Sequence, residues 1–195
     1  RRGDSALALA RAVEVGELAR QLPSPSLLVD AGLMAADAGG LVAGRGTPEL
    51  HVELQSLVTA ALGVLGNDPT NDATRARLLV HLAMTGDDAE NRRLLATAAR
   101  LAAERAGDVR WQAEALLVER GTWWGAGSAE QRCDLGRRAV ALVDDSADLA
   151  LWGRARAILA RDLTVVGAVG EARELLDELL ARDGMPALVT GRARL

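Results

Sequence analysis

The sequence predicts an all-α fold: a right-handed α-solenoid of about five helix-turn-helix hairpins with a period near forty residues. Three observations predict it. Leu95, Leu135 and Leu175 stand forty apart. Ala99 and Ala139 keep that step, as do Asp108 and Asp148, and Trp111 and Trp152 keep it to within one residue. Two helices per period of that length is the mark of an α-solenoid. The composition agrees, because the apolar half of the chain is mostly Ala, Leu and Val, with no Tyr or Phe and Ile158 alone of its kind. Ala and Leu are strong helix formers.

The elements follow in order. Ser5 to Gln21 is the first helix, with Ala6, Leu9, Ala10 and Val13 on one face. Leu22-Pro23-Ser24-Pro25-Ser26 breaks it, since proline has no N–H to continue the ladder. Leu27 to Val42 returns, with a stripe of Leu27, Leu28, Ala31, Met34, Ala35, Ala38, Leu41 and Val42. Gly39-Gly40 weakens its last turns and Gly44-Arg45-Gly46 ends it. Thr47-Pro48-Glu49 is a start signal, a cap residue followed by proline at the first helical position. Leu50, Leu54, Leu57, Val58, Ala61, Leu62 and Leu65 then form the cleanest stripe in the chain. A turn at 66–71 follows, with Asp72 expected to cap a helix to Thr85.

The third hairpin pairs Ala89–Ala106 with Val109–Trp124 across Gly107-Asp108. The fourth pairs Ala129–Val143 with Leu149–Val166. Asp87 and Ser128 each stand three residues before a Glu or Gln, the capping-box spacing. Glu171 to Arg182 begins a fifth hairpin, with Ala172, Leu175, Leu176, Leu179 and Leu180 buried and Glu171, Glu174 and Glu178 solvated. Gly184-Met185-Pro186 opens a return helix that is cut short. The expected organisation is one repeat domain over 1–195, a fragment of a larger chain. Its unfinished C-terminal end is expected to favour self-association.

Composition excludes several chemistries. The net charge is −4 and the pI about 5.3, whereas phosphate-backbone binders carry a basic surplus. All 23 basic residues are Arg, as in GC-rich bacterial genomes, so a Walker A loop lacks its lysine. The glycine cluster at 39–46 lacks dinucleotide-binding spacing. Cys133 is the one cysteine, so no internal disulfide forms. It is expected to be a half-buried, inert thiol. His51 is expected in solvent, and His81 packed with one nitrogen satisfied. Asp144-Asp145 is expected to oppose the dipole at a helix end. No catalytic, cofactor-binding or metal-binding residue is expected, and no cofactor. With no signal peptide and no long apolar run, the reading is cytoplasmic, without membrane or direct nucleic-acid contact.

Trp111 and Trp152 fall at equivalent places in successive return helices. There each ring would fill the gap between hairpins, with ~2–3 kcal/mol of transfer energy. Trp123 and Trp124 point about 100° apart on a helix, so both cannot be buried in one layer.

Four stretches carry a resemblance: Arg75-Ala-Arg-Leu-Leu-Val-His-Leu-Ala83, Ala98-Ala-Arg-Leu-Ala-Ala-Glu-Arg-Ala-Gly-Asp108, Trp123-Trp-Gly125 and Asp148-Leu-Ala-Leu-Trp-Gly-Arg-Ala155. In this order they resemble the tetratricopeptide-like region of large ATP-binding LuxR-type STAND transcription regulators, related to the maltose regulator. The likeness runs from about Leu27 to Leu195. It implies an arm that binds a protein partner, other domains of its parent or a small-molecule effector, between an NTPase domain and a helix-turn-helix. None of the NTPase or DNA-binding motifs stands in this sequence. The alternative is a repeat scaffold attached to a cyclase or kinase. By analogy with related repeats, Gln55, Arg92 and Arg132 on first helices become candidate contacts.

Overall fold

The computed structural model describes residues 2–22, 24–42, 48–125 and 127–184, with the side chains of 2–9, 38–42, 48 and 50 excepted. Among these residues the chain is all-helical, with no strand. The helices are α1 (Arg2–Gln21), α2 (Pro25–Val42), α3 (Pro48–Leu65), α4 (Asp72–Thr85), α5 (Ala89–Ala106), α6 (Val109–Arg120), α7 (Ala129–Leu142), α8 (Leu149–Val165) and α9 (Val169–Ala181). A 3-10 turn, Pro69–Asn71, precedes α4. They form two compact units, Arg1–Asp108 and Val109–Leu195. The division falls in the turn expected inside the third hairpin. The expected return helix beyond Gly184 and the Gly44-Arg45-Gly46 stop lie outside the described residues.

In the first unit α1 to α5 pack each on the next. The core is lined largely by alanine: Ala12, Ala19, Ala31, Ala35 and Ala61 surround Leu54, Leu57, Val58 and Leu78. Small side chains let the helices approach closely. A Cβ on Gly32 would lie 2.4 Å from the Ala61 Cβ, and that atom is fixed to its backbone. Gly32→Ala therefore forces α2 and α3 apart. Overpacking of this kind costs ~1–3 kcal/mol, against a helix-propensity gain of ~1 kcal/mol. The expected result is a net loss of stability in a urea melt. An unchanged midpoint would show that the helices can separate freely.

Of the face expected on α1, Val13 packs against the core and Ala10 is exposed, while the side chains of Ala6 and Leu9 lie outside the described residues. Ala12, Gly16 and Ala19 are buried. The closest approach is at Gly16, where a Cβ would meet Leu57 at 2.6 Å. Contact with a facing leucine selects a small residue at this position. On α2, likewise, Leu27 and Met34 are exposed and Ala31, Ala35 and Ala36 are buried. The α3 stripe holds from Leu54 to Leu65.

In the second unit α6 to α9 again pack each on the next. Leu116, Leu135, Ala139, Val143, Leu151 and Ala155 form one part of its core, and Cys133, Leu159, Leu163 and Ala172 another. α5 and α8 end alike. Gly107 and Gly167 take φ of +67° and +80°, and the following N–H returns to a carbonyl five residues back. This closing turn satisfies orphan carbonyls at a left-handed position that suits glycine.

The caps correct several expectations. Asp88, not Asp87, caps α5, accepting from the Asn91 N–H at 2.5 Å. Ser128 stands at the start of α7 without a side-chain cap bond. Its hydroxyl donates to the Gly125 carbonyl and accepts from Arg132, which removes it from the box. Asp72 is the first residue of α4, not its cap. Its carboxylate turns sideways to Arg105 and Arg75, while Asp68 caps the 3-10 turn. The Arg105 hydrogen bond is the largest cause holding the Asp72 carboxyl below its usual range. α6 ends at Arg120 rather than Trp124. Asp144, expected to oppose the dipole at a helix end, also accepts from Arg156.

Candidate functional site

The densest polar cluster lies in the second unit, where α6, α7 and α8 converge. Asp162 follows Leu159 by three residues on the inward face of α8, and only 1% of it is exposed. Arg120, the last residue of α6, donates to both its carboxylate oxygens, with Nε at 2.6 Å. Such a paired fork matches guanidinium to carboxylate geometry. Arg132 of α7 adds a longer contact at 3.4 Å. It also donates to the Trp123 carbonyl at 3.1 Å and the Ser128 hydroxyl at 3.0 Å. The cluster thus ties the 121–128 loop to α8. Beside it, Cys133 is buried, and burial first, then the Asp162 charge, pushes its thiol up. A thiol held in that form is a poor nucleophile.

Two of the candidate contacts are related by the forty-residue step and do the same thing. Arg92 in α5 donates through Nε to the Ala83 carbonyl at 2.8 Å, and Arg132 donates through a terminal nitrogen to the Trp123 carbonyl. Each reaches back nine residues, Arg92 to the last turn of α4 and Arg132 to the loop that follows α6. At the end of α4 unpaired carbonyls and the negative end of the helix dipole both favour a cation. Gln55, the third candidate, donates to the Thr85 carbonyl at 2.5 Å. All three side chains therefore have their polar heads engaged within the fold. Sequence reasoning passed over Arg120 and Asp162. The available signal was a charge at an apolar-stripe position, since Asp162 continues the series Ala155, Leu159, Leu163.

Trp123 and Trp124 divide as their spacing implies, whereas Trp111 and Trp152, expected at equivalent places, differ in burial. Trp152 is buried, with the guanidiniums of Arg156 and Arg182 at 3.9 Å and 4.2 Å from its ring centre. Trp111 is half-buried, with Arg110 at 5.4 Å. Trp123 packs against the core of its unit, while its neighbour Trp124 is 78% exposed. On α9, Ala172 and Leu179 are buried and Leu180 is exposed. Glu171 is paired with Arg137 and Glu178 with Arg156.

The histidines sit in the first unit. His51 is half-buried rather than in solvent. His81 is buried, and its Nε2 has no hydrogen-bond partner. Burial, then the neighbouring His51 charge, lowers its pKa to about 4, against a backbone bond to Ala36 and the Asp37 charge. Between about pH 6.5 and 4 the unfolded chain therefore binds a proton that the folded chain does not. Stability is full above that window and falls as the pH drops through it, by ~3 kcal/mol for a shift of this size. Urea melts from pH 7 to 4 should show this loss, and His81→Leu should remove it. An equal acid loss in the variant would assign the effect to other groups.

Among the described residues no group of three or more His, Cys, Asp or Glu is placed to hold a metal ion, and no helix is long and apolar enough to cross a membrane. No protein-family model matches the chain, and a search of curated proteins finds no match.

Proposed function

We propose that the chain is a tetratricopeptide-like repeat module, without catalysis of its own, that binds a protein domain or a small effector. In this reading it is the arm of an ATP-binding LuxR-type regulator. The supporting observation is the equivalence of Arg92 and Arg132. Two arginines forty residues apart each donate to the backbone carbonyl nine residues before them, in the segment that leads into their own helix. A repeat retained at the level of one hydrogen bond supports a stacked array of like units. Ala99 and Ala139, both fully buried, add the matching packing position. The acidic charge, the absence of lysine and the engagement of Asp162 and Cys133 inside the fold favour recognition over chemistry.

Such an arm acts when its ligand binds one conformation of the parent more tightly than another. The reading frame of the parent is the direct test. An NTPase domain before the repeats and a helix-turn-helix after them support the regulator. A cyclase or kinase domain in their place would replace it with a signalling scaffold.

A further inference from the structure

The outward face of α5 differs from the corresponding faces of α7 and α9. Positions related by the forty-residue step are Leu94, Asp134 and Glu174, then Ala98, Arg138 and Glu178, then Leu101, Ala141 and Ala181. All nine are exposed. α7 and α9 place two charged residues there, as a solvated face requires. α5 places two leucines with an alanine between them, Leu94 being 63% and Leu101 44% exposed. Their spacing makes one continuous stripe along the helix.

The ends of that stripe carry opposite charges. Glu90 stands in the first turn of α5 and Arg105 in the last. Both fall in line with the leucines, at four-residue steps beyond Leu94 and Leu101. Arg105 uses two of its nitrogens on Asp72, yet its side chain remains 57% exposed. The third nitrogen is left for another carboxylate.

We infer that α5 is a self-association surface whose occupant is α5 of a second copy, packed antiparallel about a two-fold axis between Thr97 and Ala98. That register sets Leu94 against Leu101 of the second copy, and Leu101 against its Leu94. It brings Glu90 onto Arg105 of the second copy at each end. A parallel pairing would set Glu90 on Glu90 and Arg105 on Arg105. The surface is thus self-complementary in the way a two-fold dimer needs, and the end charges select the direction. One helix pair is small beside the ~1,600 Å² of a standard stable interface, so the dimer is weak and concentration-dependent. The inference rests on α5 itself and stands whether or not the regulator reading holds.

Sedimentation velocity of the full chain from micromolar to millimolar concentration tests it. A reversible monomer–dimer equilibrium is expected. Leu94→Asp with Ala98→Arg, the residues of α7 at the same positions, should weaken the dimer tenfold or more, with the circular dichroism unchanged because both sites are exposed. Ala98→Cys should form an intermolecular disulfide on mild oxidation, while Ala141→Cys on α7 should not. Cys133 is buried and does not interfere. A strict monomer at every concentration overturns the proposal. So does a dimer that survives the α5 substitutions or is lost through Leu180→Glu on α9.

Discussion

Asp162→Ala should cost the second unit ~3–5 kcal/mol in a urea melt, because it strands a buried guanidinium without its counter-charge. Arg120 is 7% exposed and gives two donors to the carboxylate. Once the carboxylate is gone, water cannot reach the guanidinium to replace it. The cost is that of an uncompensated buried charge, not the net worth of the pair. Replacing both partners by apolar residues, Arg120→Met with Asp162→Leu, should therefore recover most of the loss. Arg132 keeps the Trp123 carbonyl and the Ser128 hydroxyl in that double variant. A single-variant loss under 1 kcal/mol would mean that the loop opens to let water in.

Trp152→Ala should also cost ~3–5 kcal/mol, the range for removing a buried aromatic ring. The ring is 3% exposed and packs on Leu179 of α9. Two guanidiniums also lie over it, a cation–π arrangement that strengthens when shielded from water. Arg156 is held by Asp144 and Glu178 at the same time, so the ring, the cation and α9 are fixed together. Trp152→Phe should retain most of the stability, because the apolar bulk and a π-face remain and the indole Nε1 has no partner to lose. If the Phe variant falls as far as the Ala variant, the indole shape rather than burial carries the effect.

How far the fold was legible differs along the chain. From α3 onward, leucine stripes and turn signals place the helix starts at Pro48, Ala89, Val109, Ala129 and Leu149, because local periodicity and local breakers decide them. On α1 the expected Val13 packs against the core but Ala10 is exposed, because alanine carries little pattern. Which of its small residues is buried depends on the facing Leu57, a contact across sequence. The caps went astray for the same reason. Ser128 has the right neighbour at Gln131, but Arg132 claims its hydroxyl. Asp72 precedes an apolar run, but Arg105 draws its carboxylate away from the backbone. Ion pairs between distant helices, such as Arg120 with Asp162, have no local signature. The forty-residue step could align Arg92 with Arg132, yet only the structure shows that both cap carbonyls instead of facing a ligand.

On the proposed function the chain recognises a partner and binds neither nucleotide nor DNA. Isothermal titration of the folded chain with ATP, and separately with duplex DNA at physiological salt, tests that most directly. The expected result is no saturable heat from either, since the chain has no phosphate loop and carries a net charge of −4. Saturable binding of either ligand at micromolar or tighter affinity would contradict the account.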